Sequence, residues 1–126
     1  MASHNEVGKW GEELAADYLE RKGYRIIEHD WRSGHRDIDI VARTATEIVF
    51  VEVKTRKSNK YGEPWKSVDW RKRKNLLAAI NRYVRSHRID MPFRFDIISI
   101  IIHDFAPPQI EHFEDVQLVT FGCYCR

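Results

Sequence analysis

The stretch Glu47-Ile-Val-Phe-Val-Glu-Val-Lys-Thr-Arg56 decides how the rest of the chain is interpreted. It begins as an apolar strand and then places Glu52 and Lys54 two residues apart. Because side chains alternate along a strand, both charges point to the same face. Charges on a strand buried on both faces are costly unless they are paired, bind a metal or lie at its open end. An isolated Glu-x-Lys most often forms a surface ion pair, so the interpretation depends on partners from elsewhere in the chain.

The segment before this stretch supplies such partners. Residues 36–43 predict a strand, and the short link at residues 44–46 predicts an antiparallel hairpin with a two-residue loop at Ala45-Thr46. In that register Asp39 lies opposite Glu52. Directly opposed Cβ atoms are about 5 Å apart, so the two carboxylates repel unless a proton or a metal ion lies between them. A divalent cation of the Mg²⁺ type, which prefers oxygen ligands, fits this pair. A register slip of one residue would separate them.

Two amphipathic helices are predicted on either side of the hairpin. The first, at about residues 5–22, ends at Gly23 and carries an apolar stripe centred on Trp10, Leu14 and Tyr18, which Val7, Ala15 and Leu19 widen. Glu12 and Glu13 lie beside the stripe, and either could lean over the sheet, although periodicity alone favours two glutamates facing solvent. The second helix, at residues 70–87, has a buried stripe of Leu76, Leu77, Ile80, Tyr83 and Val84.

Positive charge is concentrated between the opening stretch and the second helix. Residues 54–74 contain nine basic side chains against Glu63 and Asp69. The basic residues are Lys54, Arg56, Lys57, Lys60, Lys66, Arg71, Lys72, Arg73 and Lys74. Positive charge is unfavourable at a helix N-terminus, so a polyanionic partner would explain its placement. A solvated charged face explains the charge run at least as well. Trp65 and Trp70 could stack on unpaired bases, although packing is the commoner role of tryptophan.

Strands are also predicted at residues 24–31, 93–102 and 109–113, which makes the chain an α/β protein. Asp96, inside the strand at residues 93–102, is expected to form a buried ion pair with a neighbouring arginine. A length of 126 residues predicts a single domain over residues 1–126. No apolar run reaches the roughly 20 residues of a membrane span, and the polar N-terminus lacks a signal core, so we expect a cytoplasmic protein.

The ordered set of motifs resembles the PD-(D/E)xK nuclease superfamily and, within it, the YraN family of predicted endonucleases, which are similar to archaeal Holliday-junction resolvases. The resemblance covers roughly residues 8–113. It is carried by Gly8-x-x-Gly11-Glu12-x-x-Ala15-x-x-Tyr18-Leu19, Gly23-Tyr24, Asp37-Ile38-Asp39, Phe50-Val51-Glu52-Val53-Lys54-Thr55-Arg56, Gly62, Lys72 and Arg94-Phe95-Asp96. The chain departs from the family at Asp37, where a glutamate is usual.

The resemblance implies a fold and a set of roles. The fold is a restriction-endonuclease-like three-layer core with a mixed sheet of four to five strands flanked by helices. Asp39 and Glu52, with the Val53 carbonyl, would bind Mg²⁺ or Mn²⁺; Glu12 would complete the acidic site; and Lys54 would activate water and stabilise charge on phosphate. The residues expected to bind nucleic acid are Thr55, Arg56, Lys57, Lys60, Arg71, Lys72 and Lys74.

The implied function is a metal-dependent endonuclease that hydrolyses DNA phosphodiester bonds, at branched or single-stranded structures. The alternatives are a nuclease-like fold that binds nucleic acid without cutting it and a protein-interaction module. Fold resemblance fixes architecture better than activity. The retained set of Asp39, Glu52 and Lys54 favours the nuclease, since a scaffold has no need of repelling carboxylates. The resolvase-like relatives also suggest a homodimer.

Overall fold

A computed structural model describes residues 4–57 and 70–118 of the chain. It contains two helices, α1 (His4–Arg21) and α2 (Trp70–Ser86). The five strands are β1 (Arg25–Ser33), β2 (Arg36–Arg43), β3 (Ile48–Arg56), β4 (Phe93–Ile101) and β5 (Gln109–Phe113). Every predicted helix and strand is confirmed within two residues at each end. Residues 58–69, with Lys60 and Trp65, and the two cysteines, Cys123 and Cys125, fall outside the described residues.

The five strands form one mixed sheet in the order β1-β2-β3-β4-β5. Strand β3 pairs antiparallel with β2 and parallel with β4, while β1 and β5 are antiparallel edge strands. Strands β3 and β4 therefore end at the same edge of the sheet, where β3 carries Glu52, Lys54 and Arg56. Ligands of open α/β sheets bind at such carboxyl ends.

The two helices cover opposite faces of the sheet, which confirms the three-layer core. Along β3, Ile48 and Phe50 pack in a cluster with α2, whereas Val49 and Val51 pack in a second cluster with α1. This alternation is the normal consequence of a strand buried on both sides. Because Glu52 lies two residues after Phe50, the same alternation places its side chain on the α2 face of the sheet.

The packed face of α1 is displaced by one residue from the predicted stripe. The positions against the sheet are Gly11, Ala15 and Leu19, at i, i+4 and i+8, and all three are buried. Trp10 is instead exposed, while Leu14 and Tyr18 are half-buried at the margin. The predicted places of Ala15 and Leu19 in the stripe are confirmed. Its predicted centre was wrong because the prediction weighed hydrophobicity alone, whereas the small residues allow the helix axis to lie close to the strands.

Gly11 is where α1 approaches the sheet most closely. A Cβ atom at this position would overlap Thr55 Oγ1 of β3 and lie 3.3 Å from Thr55 Cβ. A Cβ at Gly8, one turn earlier, would meet nothing within 4 Å. The contact fixes the start of α1 against the carboxyl end of β3, and it thereby brings Glu12 within electrostatic reach of Asp39 and Glu52.

We expect Gly11→Ala to destabilise the protein and Gly8→Ala to stabilise it. Overpacking at the Thr55 contact should cost about 1–3 kcal/mol, whereas alanine in open helix should gain up to about 1 kcal/mol over glycine. Urea denaturation of both variants measures the difference. Equal stability of the two would show that the contact does not hold α1 in place.

Helix α2 packs largely as predicted. Leu76, Ala79, Ile80 and Tyr83 are buried in its core cluster, and Val84 is half-buried against the same cluster. Leu77 is the exception, because it is exposed near Phe93 at the margin of the sheet. Leu77 is exposed because the apolar stripe of α2 is wider than the surface of the helix that contacts the sheet.

A buried polar network connects the edge strand β5, and the segment that follows it, to strand β4. Asp96 is fully buried, and its carboxylate accepts hydrogen bonds from Arg94 Nε (3.0 Å), His112 Nε2 (2.7 Å) and the Asp115 backbone N–H (2.9 Å). Arg94 also contacts Glu47 Oε1 at 2.6 Å. The predicted ion pair of Asp96 with a neighbouring arginine is confirmed, and three partners satisfy this buried charge.

Candidate metal and phosphate site

The β2–β3 hairpin has the predicted register up to the point where the site begins. Arg43 pairs with Ile48 and Ile40 with Val51, and the loop is closed by a hydrogen bond from Thr44 N–H to the Glu47 carbonyl (2.9 Å). The ladder ends at the Ile40–Val51 pair. The strands part just before the Asp39 and Glu52 positions, so these residues face each other across a fork in the sheet.

Strand β2 is irregular at Asp39. Ile38 and Val41 pack in the same core cluster although they are three residues apart, so the alternation of faces breaks between them. The neighbouring strand is irregular at the same level, because Asp30 of β1 has a φ of 48°. Instead of a backbone pair, Asp39 Oδ2 accepts a hydrogen bond from the Val53 backbone N–H at 2.9 Å. The carboxylate of Asp39 thus lies in the fork.

The backbone carbonyl of Val53 also points toward the fork. The N–H and C=O groups of one residue in a strand point to the same neighbour. Since the Val53 N–H bonds to Asp39, its carbonyl faces the β2 side, where the ladder has ended. The three oxygen sources expected at a metal site, Asp39, Glu52 and Val53, therefore converge on the fork.

Glu52 is the central charged group of the site and is only 4% exposed. Its Oε2 lies 2.8 Å from Lys72 Nζ of α2 and 3.6 Å from Lys54 Nζ. Lys54 therefore shares the face of Glu52, as strand alternation predicted. The contact with Lys72 was not predicted, because it joins residues on β3 and α2 that only tertiary packing brings together.

The proximity of Asp39 and Glu52 changes the ionisation of Asp39. Burial and the charge of Glu52 raise the pKa of Asp39 to about 8, against the opposing hydrogen bond from the Val53 N–H. The nearby Glu52 side chain therefore favours the protonated form of Asp39. Burial opposes protonation of Lys72, but its hydrogen bond to Glu52 and the charges of Glu52 and Asp39 outweigh that effect and raise its pKa.

Glu12 of α1 also lies near the fork, and its side chain lines a neighbouring cleft. It is half-buried, whereas Glu13 is exposed, so Glu12 is the glutamate that leans toward the sheet. Burial, and then the charges of Asp30, Glu52 and Asp37, raise the pKa of Glu12. Glu12, Asp30 and Asp37 border an open cleft of about 830 Å³ on the α1 side. The cleft is lined by Gly8, Lys9, Glu12, Glu13, His29, Asp30, Arg32, Asp37 and Asp39.

The residues at the fork fit a hard divalent cation. Within residues 4–57 and 70–118, no three His, Cys, Asp or Glu side chains are grouped closely enough to hold a metal unaided. Two carboxylates and one backbone carbonyl are nevertheless the donor type that Mg²⁺ prefers, and Mg²⁺ usually keeps several water ligands. A cation between Asp39 and Glu52 would take the place of the proton that Asp39 retains because of its raised pKa.

We expect Asp39→Asn to stabilise the metal-free protein, and increasingly so as the pH rises. With a folded pKa of about 8 against an ordinary value of 3.8, folded Asp39 retains a proton that the unfolded chain has lost. Stability from this group is therefore complete below pH 4 and falls as the pH rises toward 8. Asparagine does not ionise, so it removes that loss of stability. At pH 8 we expect the free energy of unfolding to rise by at least about 1 kcal/mol. Urea denaturation in EDTA at pH 5 and pH 8 measures it.

Asp37→Asn is the matched control for that prediction. Its carboxylate is exposed on the same strand, two residues away. We expect its stability to follow the wild-type pH dependence. If Asp39→Asn and Asp37→Asn respond alike to pH, the raised pKa of Asp39 is wrong.

The residues expected to contact phosphate divide into separate groups. Arg71 and Lys72 line a smaller cavity on the α2 side. Thr55 lies on the opposite face, against Gly11. Arg56 is half-buried and its carbonyl accepts a hydrogen bond from the Ile102 N–H (2.8 Å). Lys57 and Lys74 are exposed, and Lys60 lies outside the described residues.

Several charged residues near the fork were missed by the sequence analysis. Asp30 and Arg32 of β1 border the large cleft, joined by a 3.1 Å ion pair, and His35 and Asn75 border the smaller cavity. The sequence predicted only a strand at residues 24–31, and its charged side chains were assigned no role. An aspartate inside a strand pattern was the available signal, because Asp tolerates the left-handed conformation that Asp30 adopts.

No helix in the described parts of the chain is both long and apolar enough to cross a membrane.

Comparison with known proteins places the chain among uncharacterised relatives. Residues 11–100 match the family described as "Uncharacterised protein family UPF0102". A UPF0102 protein of Phocaeicola vulgatus is 44% identical over 115 residues, which cover 91% of this chain and 94% of the relative. One from Bacteroides thetaiotaomicron is 48% identical over 101 residues, 80% of this chain and 84% of the relative. These names describe no activity.

Proposed function

We propose that this chain, which belongs to the UPF0102 (YraN) family, is a metal-dependent endonuclease that hydrolyses phosphodiester bonds of DNA. The observation that carries the proposal is the fork between β2 and β3. There Asp39 and Glu52 meet, with Lys54 and Lys72 beside them. Such an arrangement is costly for stability, since burial and the charge of Glu52 disfavour the ionised form of Asp39. Active sites commonly combine burial and like charge in this way.

The chemistry of phosphodiester hydrolysis matches these groups. A bound Mg²⁺ or Mn²⁺ supplies Lewis acidity toward phosphate oxygen and lowers the pKa of bound water. Asp39, Glu52 and the Val53 carbonyl are the groups that would hold it. Lys54, whose ammonium lies 3.6 Å from Glu52, stabilises the charge that develops on phosphate.

Two further residues complete the proposed site. Glu12 faces the same fork from α1, and burial and the neighbouring carboxylates raise its pKa, which suits a group that holds or moves a proton. Lys72 neutralises Glu52 from α2 and provides a second positive charge for phosphate. Assembly as a homodimer remains a prediction from the resemblance.

The proposal is tested by cleavage assays on linear duplex, flapped, single-stranded and four-way DNA. We expect cleavage of at least one substrate with Mg²⁺ or Mn²⁺ and none in EDTA. Failure on all substrates, by protein shown to be folded by its melting transition, would contradict the nuclease. Salt-sensitive DNA binding that persists in Glu52→Ala, without turnover, would instead support a non-catalytic binding module.

A further inference from the structure

Two depressions of opposite charge meet at Asp37. The large cleft on the α1 side contains five acidic side chains, including Asp39, against Lys9 and Arg32. The positive charge of Arg32 is also taken up by Asp30, 3.1 Å away. The field of this cleft therefore disfavours a phosphate backbone.

The depression on the α2 side has the reverse character. A cavity of about 290 Å³ lies between Asp37 and the first turns of α2, and its polar lining includes His35, Arg71, Lys72 and Asn75. A second cavity, of about 360 Å³, lies at the tip of the β1–β2 hairpin and adds Arg36. Both cavities are bordered by His35 and Asn75, so they lie side by side, and we call the two together the hairpin groove.

The hairpin groove leads into the site. Lys72 is part of its wall, and the Lys72 ammonium lies 2.8 Å from Glu52 Oε2. The groove therefore runs from Arg36, at the outer end, to the carboxylates of the fork. Asp37 is its one acidic side chain among the described lining residues.

We propose that the hairpin groove is the track along which the DNA backbone reaches the fork, with Arg36 and Asn75 as phosphate contacts. This inference rests on the proposed function for its substrate class. Arginine presents a planar set of donors that matches phosphate oxygens, and asparagine donates through its amide. The hairpin tip of Gly34 and His35 is thus one wall of the substrate path, opposite α2.

Asn75→Asp, compared with Asn81→Asp, tests the proposal. Both asparagines are exposed on α2, but Asn81 lies further along the helix, past the residues that line the groove. Binding of fluorescently labelled DNA would be measured in Ca²⁺ at several salt concentrations, with melting curves to show that each variant is folded. We expect Asn75→Asp to weaken binding at least about tenfold, as expected for a charged group set against phosphate, and Asn81→Asp to remain within about twofold of wild type.

Arg36→Ala provides an independent measurement. Losing one phosphate contact should reduce the slope of log affinity against log salt by about one, while Arg25→Ala, at the opposite end of β1, should leave it unchanged. Equal DNA binding by Asn75→Asp and Asn81→Asp would contradict the proposed role of the hairpin groove. So would a wild type that binds none of the DNAs.

The outcomes separate this inference from the nuclease proposal. If the wild type cleaves DNA but Asn75→Asp binds like Asn81→Asp, the groove is wrong and the nuclease stands. If no substrate is cut but Asn75→Asp alone loses binding, the groove stands and the nuclease is wrong.

Discussion

Lys54→Ala is expected to reduce the rate of DNA cleavage by at least about 100-fold, the effect of removing one charge-stabilising group from a preorganised site. The Lys54 ammonium lies 3.6 Å from Glu52, at the end of the fork. Metal binding should persist, because Asp39, Glu52 and the Val53 carbonyl remain. Single-turnover cleavage with saturating enzyme would separate this loss of rate from weaker binding.

Lys57→Ala is the control for that loss of charge. Lys57 is exposed just beyond β3 and makes no part of the fork. Its removal should weaken DNA binding by about threefold or less, in a salt-dependent manner, and leave the single-turnover rate unchanged. If Lys54→Ala cleaves DNA as fast as Lys57→Ala, then Lys54 takes no part in the chemical step.

Asp96→Ala should have the largest effect on stability, about 3–5 kcal/mol. The substitution leaves Arg94, which is largely buried, without its main counter-charge, and it also removes the acceptor of His112 and of the Asp115 N–H. That loss is a large share of the 5–15 kcal/mol typical of a folded domain. Urea denaturation at pH 7 followed by tryptophan fluorescence would measure it.

The effect of Asp96→Ala should also depend on pH in a defined direction. Burial alone would raise the pKa of Asp96, but hydrogen bonds from His112, Arg94 and the Asp115 N–H lower it below its ordinary 3.8. The stability it provides is therefore fully present above about pH 4 and is lost in stronger acid. Asp104→Ala, in the exposed loop after β4, should change stability by no more than about 0.5 kcal/mol. Equal effects of the two substitutions would contradict the network.

Local patterns were sufficient to predict the elements and the hairpin. The alternation of β3 and the short loop at Ala45-Thr46 determined which residues of β2 and β3 face each other, and the observed ladder has that register. The pairing of Asp96 with Arg94 followed from the cost of burying a lone carboxylate. These features depend on neighbours in sequence or on one hairpin.

Features that depend on long-range packing were not predictable. The sequence could not show that Gly11 lies against Thr55, so the α1 stripe was placed one residue away. Nor could it show that Lys72 reaches Glu52 or that the hairpin tip at His35 faces Asn75. In each case the partners lie on different elements, and their distance is set by how the helices rest on the sheet.

The central claim, that the fork of Asp39 and Glu52 holds a divalent cation, is tested most directly by titrating Mn²⁺ into wild-type and Asp39→Asn protein with detection by electron paramagnetic resonance. The wild type should bind Mn²⁺ more tightly at pH 8 than at pH 6, because the cation displaces the proton on Asp39. Asp39→Asn should lose at least about tenfold in affinity, as one charged ligand is removed. Equal Mn²⁺ affinity of the two proteins would contradict the account.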